Sequence, residues 1–399
     1  MPNNWKTYKL SEIAKTNSST IGRDCSFEEI LYLDTGSVTE GRYDLPQALP
    51  LSEAPSRAKR VVKHNDIIYS TVRPNQRHYG LIKKPKDNLI VSTGFCVITP
   101  KQVEPKFLYY SLTTSEMTDY LHTIAEGSTT TYPSIKPSVL EELEIKLPPL
   151  KEQTQIANIL STIDDKIENN LATNKTLEDM AMALYKHWFV DFGPFQDGEF
   201  VDSELGLIPK GWEVKRLEEL GRMYYGKMPK KDKIQTTGFP LYSGYRLVGH
   251  YPEFNCKKGK VIVLARGVGG TGDIKMTKTD LFLTNISICI KNELEIISDL
   301  ILFYILKSTG LHYLRTGSAQ PQITINDLNS VQLIIPSKEI QNEFLESFKS
   351  LIDKKEENII ENENLSKLRD TLLPKLISGE VRLKEFREQV ENIITNAVK

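Results

Sequence analysis

Two clusters of side chains have the types and spacing to read a nucleic acid. Residues 73–79, RPNQRHY, gather Arg73, Asn75, Gln76, Arg77, His78 and Tyr79 in one polar loop. Arginine offers a planar fork of donors that suits guanine edges and phosphates, and Asn and Gln suit adenine. The second cluster comprises Arg222, Tyr224, Lys227, Tyr245, Arg246 and Arg266. Two short polar segments add to these: residues 127–132 with Thr130 and Tyr132, and residues 317–324 with Gln320 and Gln322. Any one of these residues is, on its own, more often a solvated surface group. The clusters carry more weight than their members.

Motifs for catalysis are missing. The chain has no GxxxxGK[ST] loop, no Ser nucleophile elbow and no HExxH. It also lacks [DN]PP[YFW], the tetrapeptide that positions a target amino group in N-methyltransferases. Gly267, Gly269 and Gly272 do have GxGxxG spacing after the apolar run VIVLA. A dinucleotide site needs a helix next, however, and IKMTKTDLFLT reads as strand. Cys25, Cys96, Cys256 and Cys289 show no metal spacing, and Cys96 and Cys289 lie in apolar strands. The pattern points to a binding and scaffolding protein without metal or cofactor of its own.

Charge agrees with local rather than bulk nucleic-acid binding. There are 51 basic and 52 acidic residues, net −1. Residues 1–150 are net +1 and residues 200–336 net +5, while 151–190 and 337–399 are each net −2. The start, MPNNWKTYKL, is not a signal peptide, and no apolar run reaches the roughly 18 residues of a membrane span. A cytoplasmic location is expected.

The elements that must position these clusters occur twice. GSTTTYPSIKPSVLEELEIKLPPLKEQTQIANILSTIDDKIENN is repeated 188 residues later from Pro133 onward, so that Gln153 falls on Gln341 and Asp165 on Asp353. Each copy predicts a long helix, over 151–188 and 339–376, with an inward face stepping by 4 and 3. In the first copy that face runs Ile156, Leu160, Ile163, Ile167, Asn170, Asn174, Leu177, Ala181, Leu184, Trp188. In the second it runs Phe344, Phe348, Leu351, Lys355, Asn358, Asn362, Leu365, Arg369, Leu372, Leu376, and it is less clean at Lys355 and Arg369. The matched asparagines select register if they lie in the seam and do nothing if they flank it. About 38 helical residues make a rod on the order of 57 Å long. The globular regions repeat too: Trp5 matches Trp212, Leu10 matches Leu217, and NDIIYSTVRP parallels GKVIVLARGV, with Arg73 set against Arg266. Residues 191–211 read as an acidic, Gly/Pro-bearing linker that turns the chain.

The chain resembles the specificity subunits of type I restriction–modification systems over nearly its whole length. The likeness rests on LPPLKEQTQIANILSTIDDKIENN, ALYKHWFVDFGPF, LLPKLISGEVRL, and the domain starts WKTYKLSEIA and GWEVKRLEEL. In the second helix IPSKEIQNEF departs from the pattern but keeps Gln341. The resemblance implies an α+β fold: two α/β target-recognition domains separated by two long antiparallel helices forming a coiled coil, with an internal pseudo-two-fold. The expected bounds are 1–149 for the first recognition domain, 150–190 for the central helix, and 191–211 for the linker. The second recognition domain then spans 212–336, and the C-terminal helix and tail span 337–399. The resemblance also implies a non-catalytic subunit that reads a bipartite, asymmetric site on double-stranded DNA. It would scaffold two methyltransferase subunits and the restriction subunits. S-adenosylmethionine, ATP and Mg2+ would be bound by those partners. The competing readings are a methyltransferase or nuclease acting alone and a coiled-coil adapter with no DNA role.

Overall fold

Two helices dominate a computed structural model that describes residues 4–22, 25–128, 132–244, 246–267, 269–292, 296–317 and 320–383. Helix α1 is Leu150–Phe189 and helix α2 is Lys338–Ser378, 40 and 41 residues long. The chain divides into two compact units, Met1–Asn170 with Ile359–Lys399, and Leu171–Asn358. Each unit therefore holds one globular part, the first half of one long helix and the second half of the other.

In the first unit, β1 (Ile67–Ser70) and β2 (Phe95–Pro100) are the central strands of an antiparallel sheet flanked by Ala14–Thr16 and Tyr79–Leu81. β1 is buried along its whole length, as its unbroken apolar run IIY requires. A second four-stranded sheet joins Gln47–Pro50, Glu29–Leu33, Leu89–Ser92 and Ala58–Val61, with one parallel pair inside it. In the second unit β3 (Val261–Leu264) and β4 (Ser287–Lys291) take the same central places, flanked by Arg222–Tyr225 and Ile274–Met276. A three-stranded sheet of Arg246–Tyr251, Phe239–Ser243 and Phe282–Leu283 replaces the second four-stranded one. The scaffold thus repeats while the outlying sheet does not, as the dissimilar sequences there require.

Each long helix is stapled at its start by the repeated glutamine. Gln153 donates from Nε2 to the Pro148 carbonyl (2.8 Å) and accepts from the Glu104 N–H (3.0 Å). Gln341 donates to the Pro336 and Ile296 carbonyls (3.0 and 2.8 Å) and accepts from the Ser298 N–H. Both side chains are buried, and each ties the turn before its long helix to the N-cap of a neighbouring helix, Pro105–Leu112 or Asp299–Thr309. The first turns then enter the globular cores. Ile156, Ala157 and Leu160 pack with Leu10, Phe107 and Leu108 in one unit, and Phe344 and Phe348 with Trp212, Ile301 and Ile305 in the other.

The helices pair antiparallel within each unit, and the asparagines lie in the seam. In the first unit Asn170 donates to Asn362 Oδ1 (2.9 Å) and Glu361 (2.7 Å). In the second Asn358 donates to Asn174 Oδ1 (2.9 Å). The 188-residue offset carries one pair onto the other. The two flaws in the second seam are filled by charge. Arg369 meets Asp164 at 3.0 Å, with Asp164 also accepting from the Tyr110 hydroxyl, and Lys355 meets Glu178 at 2.6 Å. Burial pushes the Glu178 carboxyl up, but the Lys355 hydrogen bond and charge outweigh it and hold the group below its usual range. That pair supports the fold above the ordinary carboxylate range and ceases to do so as pH falls through the depressed value.

Replacing Asn358 alone with leucine should cost about 1–3 kcal/mol, because it leaves the buried Asn174 amide without its partner. The double change Asn174→Leu/Asn358→Leu should recover most of that, since apolar groups tolerate one another there. Urea denaturation of the four species of this cycle measures it; equal losses in the single and double variants would place the asparagines outside the seam.

Two expectations need correction. At the end of α1 the buried positions are Tyr185 and Phe189, not Leu184 and Trp188, which are half-buried. A 3.5-residue repeat holds only while a helix faces another helix. Here the end of α1 packs on the globular core as well as on Phe344 of α2, and the natural 3.6 period takes over. Residues 191–211 are also more than a turn. Phe200–Ser203 and Gly206–Pro209 form a hairpin, Ile208 is buried, and Phe192 and Phe195 stack edge-on against Trp212.

Candidate nucleic-acid interface

The exits of β1 and β3 are built alike. Beyond β1, Ile135 N–H bonds to the Thr71 carbonyl (2.9 Å), Val72 bridges Ser134, and Arg73 N–H bonds to the Pro133 carbonyl (2.8 Å). Beyond β3, Ile323 N–H bonds to the Ala265 carbonyl (2.9 Å) and Arg266 bridges Gln322. In each unit the loop leaving the buried strand is thus laid against the segment that leads toward the long helix. Residues far apart in sequence come together as a result: Arg73 lies over the Tyr132 ring, 4.7 Å from its centroid, and Arg266 lies beside Gln322.

The same ladders correct one pairing. Thr71 and Ala265 are equivalent, so Arg266 answers to Val72 and Arg73 to Gly267. Arg73 and Arg266 therefore do not occupy one structural position.

The loop 73–79 splits by what each side chain already holds. Asn75 and Gln76 are exposed in a single 3-10 turn, Pro74–Gln76, whose proline is buried. Arg77 pairs with Glu40 at 3.0 Å and reaches Ser115 Oγ, and its guanidinium is held above its ordinary range by Glu40 against the opposing pull of burial. His78 is bonded to the Val38 carbonyl, to Thr39 Oγ1 (3.3 Å) and to Gln76 Oε1 (3.2 Å). Tyr79 is a core residue rather than a surface one: it is buried, stacks on Tyr69 at 5.6 Å, and burial pushes its phenol up to about 12. Thr130 lies outside the described residues.

In the second unit Arg222, Lys227, Arg246, Arg266, Gln320 and Gln322 are exposed, and Tyr245 lies outside the described residues. Tyr224 is spent on the scaffold. Its hydroxyl donates to the Asn255 carbonyl (2.9 Å), and its ring packs with Cys256 and Cys289, whose sulfurs are 3.1 Å apart. After Gly272 the chain enters the strand Ile274–Met276, so the GxGxxG spacing opens no helix. Gly267 and Gly269 have positive φ (+130° and +89°) and open space where a side chain would be.

Some large apolar side chains are exposed in each unit as well. Leu247 and Val248 follow Arg246 on its strand and are 53% and 47% exposed; Met228 beside Lys227 is 75% exposed, and Leu45 in the first unit 93%. Apolar groups in such company suit thymine methyls. An apolar pair in a short strand reads as buried from sequence, and only the missing cover above Arg246–Tyr251 reveals otherwise.

Comparison with known proteins places this architecture. The family model described as type I restriction modification DNA specificity domain matches residues 2–179 and again 209–364. The HindI specificity subunit of Haemophilus influenzae is 27% identical, over 94% of this chain and 99% of that protein. The MjaIX specificity subunit of Methanocaldococcus jannaschii is 33% identical over 77% and 76%. The crystal structure of a type I S subunit from M. genitalium shares the fold at a TM-score of 0.54 and 19% identity, over 94% of this chain and 97% of that one.

Proposed function

The chain belongs to the type I restriction–modification DNA specificity family, and on that premise we propose that it reads a bipartite, asymmetric site on double-stranded DNA, one half with each unit. The observation that carries this reading is the repeated strand exit closed by a second segment, dressed with different side chains: Arg73 and Tyr132 in one unit, Arg266 and Gln322 in the other. One scaffold with two sets of readers fits two different half-sites. Arg222, Lys227 and Arg246 add positive charge to the second unit's surface for phosphates or bases.

The chain carries no catalytic role in this proposal. Methyltransferase subunits bring S-adenosylmethionine, restriction subunits bring ATP and Mg2+, and the complex works in the cytoplasm where the DNA is. Among the described residues no helix is long and apolar enough to cross a membrane. The test is methylome sequencing with the chain, its methyltransferase partners, and an Arg266→Ala variant. Relaxed recognition of one half-site, with the other unchanged, is expected; loss on a base-reading contact amounts to about 1–3 kcal/mol. Methyl transfer by the pure chain without partners would overturn the proposal.

Two methyltransferase copies are favoured by a repeated surface feature. Met180 and Leu368 stand 188 residues apart, at the same place in the repeat, and are 51% and 47% exposed on the long helices. Met180→Glu and Leu368→Glu should each reduce the methyltransferase content of the complex from two copies to one. Native mass spectrometry of the assembled complex reads this directly. Two copies retained in both variants would move the docking surface elsewhere.

A further inference from the structure

Arg73 is one of the few non-glycine residues with a left-handed backbone. Its backbone is left-handed, φ 49° and ψ 66°, and the equivalent position in the second unit is Gly267 at φ +130°. A long side chain is strained there, and strain of this kind persists where the side chain is needed. The conformation is fixed on both sides: Arg73 N–H bonds to the Pro133 carbonyl, its own carbonyl accepts from Gln76 N–H (2.9 Å), and Pro74 is buried. The guanidinium lies over the Tyr132 ring, and no carboxylate among the described residues pairs with Arg73. A guanidinium held over a ring by cation–π attraction keeps its N–H donors for a ligand.

We propose that Arg73, stacked on Tyr132, reads a guanine in the half-site taken by the first unit, with Tyr132 as its positioning residue. This rests on the DNA-reading function proposed above. A phosphate contact needs only charge and reach, which an unstrained Arg or Lys anywhere on the loop supplies. A bidentate approach to guanine O6 and N7 needs a fixed plane, and that is what the strained backbone and the tyrosine ring provide.

The complex of the chain with its methyltransferase partners is titrated on its own duplex by fluorescence anisotropy. Each guanine of the first half-site is replaced in turn by 7-deazaguanine, which lacks N7. One position should weaken the wild type about tenfold. Arg73→Gly should lose about as much on the natural duplex and become insensitive at that position. Its melting temperature should be no lower than wild type, which separates lost reading from lost folding. Arg73→Lys should not rescue, Tyr132→Phe should retain the 7-deazaguanine response, and Tyr132→Leu should blunt it. The inference is overturned if Arg73→Gly keeps the wild-type response, or weakens all duplexes alike as a phosphate contact does. It is also overturned if no 7-deazaguanine position matters. A wild-type complex with no sequence preference at all would instead sink the DNA-reading function itself.

Discussion

Phe344→Ala is expected to destabilise the second unit by about 3–5 kcal/mol, the range for deleting a large buried aromatic side chain. Phe344 is fully buried one turn beyond Gln341. Its ring lies 4.6 Å from Phe189, 4.9 Å from Phe348 and 5.6 Å from Trp188. Phe189 and Phe195 in turn pack on Trp212 at 5.6 and 5.2 Å, and Tyr185 and Phe348 pack on Tyr304. One side chain thus joins the start of α2, the end of α1, the 191–211 hairpin segment and the globular core. Rigid rings in edge-to-face contact cannot flow into the gap, so the cavity term should be near its maximum. Differential scanning calorimetry should show the loss in the second unit, and recognition of its half-site should fail with it. Phe344→Leu, closer in volume, should cost much less. A loss under about 1 kcal/mol in Phe344→Ala would mean that the knot collapses around the deletion. In the first unit the equivalent of Phe344 is Ile156 and that of Trp188 is Leu376, both buried. There these two helix positions are aliphatic, packed in one cluster with Phe107 and Trp5.

The repeat explains why so much of the fold was legible. An offset that matches prolines, a glutamine and two asparagines announces two copies of one unit, and the predicted helices over 151–188 and 339–376 lie inside the observed Leu150–Phe189 and Lys338–Ser378. Helical periodicity exposes the buried face because it is a local property of the chain. The readers were harder. Asn75 and Gln76 face outward and Arg73 is half-buried over Tyr132, but Arg77 is held by Glu40, and Tyr79 disappears against Tyr69 and Tyr109. Those partners are distant in sequence, so no local pattern distinguishes a side chain offered to a ligand from one consumed by its own scaffold. The exposed Leu247 and Val248 were missed for the converse reason: hydrophobic type does not report whether anything covers it. The mismatch of Arg73 with Arg266 shows how little a one-residue slip disturbs an alignment and how much it changes in the structure, where Arg73 answers to Gly267.

Lengthening both long helices by four residues should shift the preferred spacer between half-sites by one or two base pairs while both half-site sequences stay the same. The site for the insertion follows from the asparagine pairs. Asn170 bonds Asn362, and Asn174 bonds Asn358. Four residues placed between Asn170 and Asn174, with four more between Asn358 and Asn362, leave both pairs in register. Each insertion adds about 6 Å of helix and roughly 40° of rotation beyond a full turn. At about 3.4 Å per base pair, 6 Å corresponds to one or two base pairs of reach. The insertion in α1 alone is the informative control: the two helices then carry unequal lengths between the pairs, so one pair must break or the extra turn must loop out. The single insertion should therefore lower stability and degrade spacing discrimination, whereas the matched insertion should restore both at a new spacing. Methylome sequencing with the partner subunits present reads the spacer directly. If the matched variant folds, assembles and still methylates only the original spacing, helix length does not set the spacer, and the two helices serve only to dock the methyltransferases.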